Sequence, residues 1–390
     1  MDTQEPKTYL LFSYAFRSLF LLAVLQALIG ISLWLVWWTG AVSIEWRINP
    51  VFWHGHEMAV GFAGAAIGGF LLTAVATWTG RPAVRGWPLA LLCALWLVAR
   101  LGPVFPLLAA AGGVLYWLWL LLLMAREVVT VRNQRNYKVL LLLFIFMALE
   151  ALYHYAEMAQ APWQRQALWS QIWLVLMMIN LIGGRIIPAF TRNWLLKQHP
   201  EYIPAQLPGA FNALDVAAGI ALALFAVASL LPLPTELFLL LAVAAAVLQA
   251  WRLWRWQGFR TLAEPLVWML HLSYAWIPLG VLLFGLGLAG YISGSAGIHT
   301  LTIGTVAGMI VSVSARAALG HTGRPLASHP LLNSTIVLLA LATLTRVGAA
   351  LFNSDFMMTI AAVFWLCGFF CFALRYVPVL VRPGVVPPTT

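Results

Sequence analysis

The sequence predicts an all-α polytopic membrane helix bundle, and three observations carry that reading. Hydrophobic residues fill 63% of the 390 positions and charged residues only 9%, a balance that excludes an ordinary soluble domain. Apolar runs of about 20 residues, the length that crosses a hydrocarbon core of roughly 30 Å, recur along the whole chain. Basic residues fall mostly in alternate connections, the pattern of positively charged inner loops.

Taken in order, about twelve transmembrane helices are expected, near 17–39, 54–78, 86–101, 103–125, 138–157, 167–188, 211–231, 235–256, 265–290, 298–319, 331–348 and 356–378. The start, Met1 to Lys7, is polar and mixed in charge, and no small-residue cleavage site follows the first apolar run. Helix 1 is therefore expected to be a retained anchor. With the N-terminus inside, the outer side receives only Arg47, Arg100, Arg165 and Arg346, and every other Lys and Arg lies inside. Both termini are then cytoplasmic, and the net charge of +10 reflects topology, with no nucleic-acid partner.

Only two connections have length, 126–137 and 189–210. The second holds Pro200, Pro204 and Pro208 and separates helices 1–6 (17–188) from helices 7–12 (211–378) within a single integral membrane domain, 1–390. Cys93, Cys367 and Cys371 all fall within spans, which argues against a disulfide framework. Cys367 and Cys371 share one helical face and suit either a soft metal such as Cu(I) or simple packing.

The chemistry gathers around His54-Gly55-His56-Glu57-Met58 at the mouth of helix 2, because ionisable groups at membrane depth are costly and mark function by default. The pattern recurs at a constant offset: His299 aligns on His56, Gly304 on Gly61, and Thr322-Gly323-Arg324-Pro325 on Thr79-Gly80-Arg81-Pro82. Helix 6, closing in Gly183-Gly184-Arg185-Ile186-Ile187-Pro188, is a looser third copy. Three four-helix repeats would resemble the large subunit of haem-copper oxidases, where helices 2 and 10 supply opposed histidines, an analogy at the level of fold. Gly61, Gly64, Gly68 and Gly69, with Gly304 and Gly308, give small faces for close packing or room for a flat cofactor.

On this topology His54, His56, His154 and His299 share the outer depth. Imidazole is a strong ligand for iron and copper, and the repeat makes His56 and His299 an opposed pair of haem axial ligands. His54 points elsewhere, two residues being about 200° around a helix, unless residues 52–55 are not helical. Helix 5 places Glu150, His154 and Glu157 on one face, for a non-haem metal or a proton relay with Glu57. The bland alternative wets His154 and Glu157 at the interface and pairs Glu150 with Arg100. His271, Arg316 and His321 lie toward the inside, as a second metal site, an anion or propionate anchor, or a helix-end cap. His299 and His321 are about 33 Å apart along one helix and cannot serve one metal. His199 and His329 each precede a proline and read as solvated loop residues.

These residues resemble the NnrS family. The resemblance is carried by Phe16-Arg17; by His54-x-His56-Glu57-Met58 with Gly69-Phe70-Leu71-Leu72-Thr73-Ala74 and Trp78-Thr79-Gly80; and by Gly184-Arg185-Ile186-Ile187-Pro188-x-Phe190-Thr191-Arg192-Asn193. It continues in Trp268-x-x-His271-x-x-Tyr274-x-Trp276-x-Pro278, in His299-x-Leu301-x-x-Gly304, and in Leu319-Gly320-His321-Thr322-Gly323-Arg324. It implies a twelve-helix protein of the bacterial inner membrane that carries haem b, one or two, and copper, and protects against nitric oxide and nitrosative stress. His54, His56, His271, His299 and His321 are the matching histidines, joined by His154. Ser18 stands where the family often has proline, a departure confined to a helix start.

Three functions compete. One is binding and reduction of nitric oxide, a nitric oxide reductase chemistry in which Glu57, Glu150 and Glu157 relay protons. The second is a non-catalytic nitric oxide or haem sensor, or a scavenger of iron-nitrosyl species; the third is a metal or haem transporter. No CxxCH motif or soluble electron carrier is present, so an enzyme would need a separate donor, quinol or cytochrome. Lipid and nitric oxide are the other expected partners.

Overall fold

The computed structural model describes residues 10–42 and 46–385. Among them twelve main helices form and no strand. They are α1 (Ala15–Trp38), α2 (Pro50–Thr79), α3 (Trp87–Ala99), α4 (Pro106–Thr130), α5 (Tyr137–Met158), α6 (Gln164–Gln198), α7 (Ala213–Ala228), α8 (Thr235–Arg255), α9 (Pro265–Leu288), α10 (Gly294–Gly320), α11 (Pro330–Phe352) and α12 (Asp355–Val381). Each lies where an apolar run predicted it. Ten are long and apolar enough to cross a membrane, whereas α3, with 13 residues, and α7, with 16, are shorter. At 1.5 Å per residue these two reach about 20 and 24 Å, less than a hydrocarbon core.

Helix starts follow local chemistry. Asn49 caps α2, its side chain accepting from the Val51 and Phe52 amides, with Pro50 at the first helical position. Residues 52–55 are therefore helical. Asn212 and Asp215 form a capping box on α7. His329 caps α11 by accepting from the Leu331 amide at 3.2 Å, so it has a role at a helix end that the reading of it as a solvated loop residue missed.

The sequence echo between helices 2 and 10 is a structural one. In α2 an α-helical stretch ends at His56 and passes into π-helical turns over Glu57–Phe62; in α10 a short stretch ends at His299 and passes into π-helical turns over Thr300–Ala307. Both helices are followed by a left-handed glycine, Gly80 at φ 68° and Gly323 at φ 67°, a conformation that costs glycine no Cβ clash. A wider turn misaligns carbonyls from the helical ladder, and side chains take up the slack: Gly61 O accepts from Trp96 Nε1 at 2.9 Å, Gly64 O from the Tyr116 hydroxyl at 2.8 Å.

α6 departs from that pattern. It is α-helical for 35 residues, about 52 Å at the standard rise, and carries Pro188 inside it. The Gly183-to-Pro188 run therefore sits mid-helix and does not close one. The connection expected at 189–210 begins after Gln198.

Two compact units make up the chain. One comprises 1–174, 314–326 and 372–390; the other 175–313 and 327–371. The boundaries fall within α6, α10 and α12. In the first unit Trp34, Trp37, Trp38, Trp46 and Trp53 cluster by the start of α2, with Trp46 and Trp53 rings 4.7 Å apart. Such a concentration of indoles marks a membrane–water interface.

The glycine faces mostly receive side chains. A Cβ at Gly61 would collide with the Arg100 guanidinium and the Glu57 carboxylate, at Gly64 with Trp117, at Gly68 with the Tyr116 hydroxyl and at Gly304 with Trp276. Close approach of backbones occurs elsewhere, at Gly297 against Phe284.

Candidate metal centre

Two helices of the first unit bring the predicted acids and imidazoles together. His56 and Glu57, one helical turn inside the tryptophan cluster on α2, face Glu150, His154 and Glu157 on α5. His56 Nε2 lies 3.0 Å from Glu150 Oε2, and His154 Nε2 lies 3.4 Å from Glu150 Oε1. His154 Nδ1 stands 3.3 Å from Glu157 Oε2, and His56 Nδ1 3.8 Å from Glu57 Oε1. Carboxylate and imidazole thus alternate through five groups, from half-buried Glu157 to Glu57. Glu150, at 0% exposure, is the most deeply buried of them.

The spacing on α5 explains half of this arrangement, since residues three and four apart share a helical face. The other half comes from the early start of α2, which puts His56 and His54 on different faces. His54 stacks instead on Trp34, ring centroids 4.4 Å apart. His56 stacks on Tyr153 at 4.5 Å and meets His154 edge-on at 5.0 Å.

Supporting groups fix the carboxylates. Gln171 of α6, itself fully buried, donates to Glu150 Oε2 at 2.8 Å. Gln26 of α1 and Arg100, just after α3, both donate to Glu57 Oε2, at 2.6 and 2.5 Å. Arg100 therefore pairs with Glu57 and not with Glu150, contrary to the bland alternative. The Tyr153 hydroxyl donates to Glu157 Oε1 at 3.4 Å.

One ligand atom each from His56, Glu150 and His154 falls within 4.8 Å of the others, and this is the metal-competent group of three found among the described residues. Donors about 2.0–2.1 Å from one ion stand about 3.3 Å apart in a tetrahedral shell, close to the 3.0 and 3.4 Å observed. Glu150 Oε1 and His154 Nε2 are both buried, face each other out of hydrogen-bond alignment, and have no hydrogen bond among the described residues. Buried polar atoms are rarely left so, and an ion between them would satisfy both. Two imidazoles and a carboxylate suit copper, zinc or non-haem iron.

No further histidine belongs to this metal-competent group among the described residues. His299, in the second unit, has its Nδ1 at 2.8 Å from the Ser295 carbonyl and 3.1 Å from the Ser295 hydroxyl, which in turn accepts from Arg346 at 2.7 Å. A proton on Nδ1 donated to that carbonyl leaves Nε2 in the ligand tautomer, the usual arrangement behind a metal-bound histidine. His271, also in the second unit, has Nε2 2.7 Å from Thr191 Oγ1, while its Nδ1 has no hydrogen bond among the described residues. His321 and Arg316 belong to the first unit; His321 stacks on Phe16 at 5.7 Å. His199 is exposed beside Glu201, as expected. Cys367 is exposed and Cys371 half-buried, neither in a metal-competent group among the described residues.

A second polar cluster escaped the sequence reading. Arg252 of α8, 1% exposed, donates to Asp215 of α7 at 2.8 Å, to Asn180 of α6 at 2.5 Å and to the Tyr274 hydroxyl of α9 at 2.8 Å; Gln249 completes the net. Gly184 makes room for the guanidinium. Every member has a partner, so the cluster reads as a clasp of four helices. Only Gln249 and Arg252 share a helix, and no sequence motif joins them to Asp215, Asn180 and Tyr274.

The profile of the family described as NnrS protein matches residues 10–383. No curated protein matches the chain. The match spans nearly the whole chain and takes in both π-broken helices and all the histidines above, and with it the chain belongs to the NnrS family, membrane proteins of the nitric oxide response.

Proposed function

We propose that the protein is an inner-membrane metalloprotein that binds and reduces nitric oxide, with copper at His56, Glu150 and His154. The observation that carries this reading is the facing pair of buried, unbonded donors, Glu150 Oε1 and His154 Nε2. Copper held there would supply a redox-active position open to a small neutral ligand. Because both ring nitrogens of His56 face carboxylates, the geometry favours a small ion at this imidazole, and His299, with its tautomer set by Ser295, is the haem b ligand the structure supports best. His54, stacked on Trp34, is the further axial candidate. The basic bias of alternate connections supports cytoplasmic termini.

Reducing two nitric oxide molecules to nitrous oxide and water consumes two protons and two electrons. The chain's own contribution is the proton path. Glu157, the least buried carboxylate, takes up protons at the outer edge of the line, and by accepting from His154 Nδ1 it keeps Nε2 as the ligand atom. Glu57 is pinned by Arg100 and Gln26 and serves to hold His56. Electrons come from a separate quinol or cytochrome, and the apolar interior admits nitric oxide without a gate.

The test is nitric oxide consumption by detergent-purified protein with a chemical reductant, beside copper and haem content. Glu150→Gln and His154→Gln should each lose copper and at least ten-fold in rate while keeping the haem spectrum, and His299→Ala should lose haem while keeping copper. Binding of nitric oxide without consumption by the fully loaded protein would leave a sensor or scavenger and contradict reduction.

A further inference from the structure

Several buried carboxylates of this chain hold arginines. Glu127 takes Arg81 and Arg126, Asp215 takes Arg252 and Arg255, and Glu57 takes Arg100. The first unit holds a contrasting group where α1 begins and α10 and α12 end. Arg17, Arg324, Arg375 and Arg382 gather there with no ion pair among the described residues.

Two backbone contacts draw them together. Arg17, 4% exposed on the first turn of α1, donates through one nitrogen to the carbonyls of Leu380 and Arg382 at 2.7 and 2.8 Å. It thereby caps the C-terminus of α12, where a cation is favourable. The segment after α12 then runs beside the loop that closes α10: Val385 N donates to Thr322 O at 2.8 Å, and Arg324 donates to Pro383 O at 3.1 Å. Carbonyls account for only part of the donor set. Arg17 Nε, Arg324 Nη1 and Arg375 Nε are buried and have no hydrogen bond among the described residues. Burial together with Arg375 and Arg382 holds the Arg324 guanidinium below the ordinary arginine range, as expected of like charges with no anion among them.

We propose that this end of the first unit binds the phosphate of an anionic phospholipid headgroup. Guanidinium groups with outward donors are suited to phosphate oxygens, and basic pockets at the ends of membrane helices take acidic headgroups. Lipid is favoured over soluble phosphate because α1, α10 and α12 are all of membrane-crossing length. Exposed apolar side chains, Tyr14, Leu374 and Val381, flank the arginines in sequence and offer contact to acyl chains. The stacked Phe16 and His321 rings hold the start of α1 against the α10 loop. The proposal stands apart from the metal centre and is independent of the nitric oxide reading.

The experiment measures lipid retained by the full-length protein, by native mass spectrometry after exchange into detergent with phosphatidylglycerol or with phosphatidylcholine. The wild type should retain phosphatidylglycerol in preference to phosphatidylcholine. Arg382→Gln, an exposed change that the fold should tolerate, should weaken retention about five-fold, the effect of one basic residue near an acidic membrane surface. Arg324→Gln with Arg375→Gln should weaken it further, and ten millimolar inorganic phosphate should leave it intact. Equal retention of both lipids, or unchanged retention in Arg382→Gln, overturns the proposal. Displacement by inorganic phosphate assigns the site to a soluble anion and overturns the lipid.

Discussion

Arg100 shows what a single residue does in this protein. It lies just past a short helix, stands over the Trp96 ring at 5.1 Å, and reaches the Glu57 carboxylate through the space that Gly61 leaves. Removing one member of a buried pair costs far more than removing both, because the survivor stays buried and charged. Arg100→Ala should therefore lower stability by about 3–5 kcal/mol, read as thermal unfolding in detergent, and the double change with Glu57→Gln should recover much of the loss. Equal loss in single and double variants would mean that the pair is not coupled. The sequence marked Glu57 as a membrane-depth charge and placed Arg100 on the outer side with Glu150 as a possible partner; it could not pair Arg100 with Glu57, since α2 and the end of α3 meet only through the fold. The Glu150, His154 and Glu157 face was legible because it lies on one helix. Placing His56 beside it depended on Asn49 and Pro50 starting α2 early enough to separate the faces of His54 and His56.

At the scale of elements, the π-helical turns after His56 and His299 are the structural content of the sequence repeat. Each such turn adds a residue to the ladder and rotates what precedes it by about 100° relative to a regular helix. Deleting Ala59 should restore a regular α2 and swing His56 away from Glu150, abolishing copper while His299-dependent haem remains. Unchanged copper in that variant would show that the wide turn does not set the site. The offset repeat was plain in the residues, but the wider turn was not, because no residue type codes for it. The same limit hid the course of α6. A Gly-Arg-then-Pro run looks like a helix end, yet a proline is tolerated inside a membrane helix when its surroundings satisfy the freed backbone. The two short helices, α3 and α7, fell within apolar runs whose ends the pattern could not resolve.

Over the whole molecule, composition and run length were enough to establish the class, because backbone in lipid must be satisfied by helices or a closed barrel, and unbroken apolar runs of about 20 residues suit helices. The active polar groups are few, and each unit keeps its own. The first holds the carboxylate–imidazole line and the four arginines with no ion pair among the described residues; the second holds His299 with Ser295 and Arg346, and the Arg252 clasp. The clasp was invisible in sequence for the same physical reason as the Arg100 pair, as its members come from four helices and belong to no local pattern. The proposed division of labour gives copper to His56, Glu150 and His154, and haem to His299.

Copper K-edge X-ray absorption on the detergent-purified protein tests the central claim most directly. The expected result is a first shell of nitrogen and oxygen only, near 2.0 Å, with outer-shell scattering from two imidazoles, and loss of the copper edge in His154→Gln. A sulfur shell, or a spectrum unchanged by His154→Gln, would contradict it.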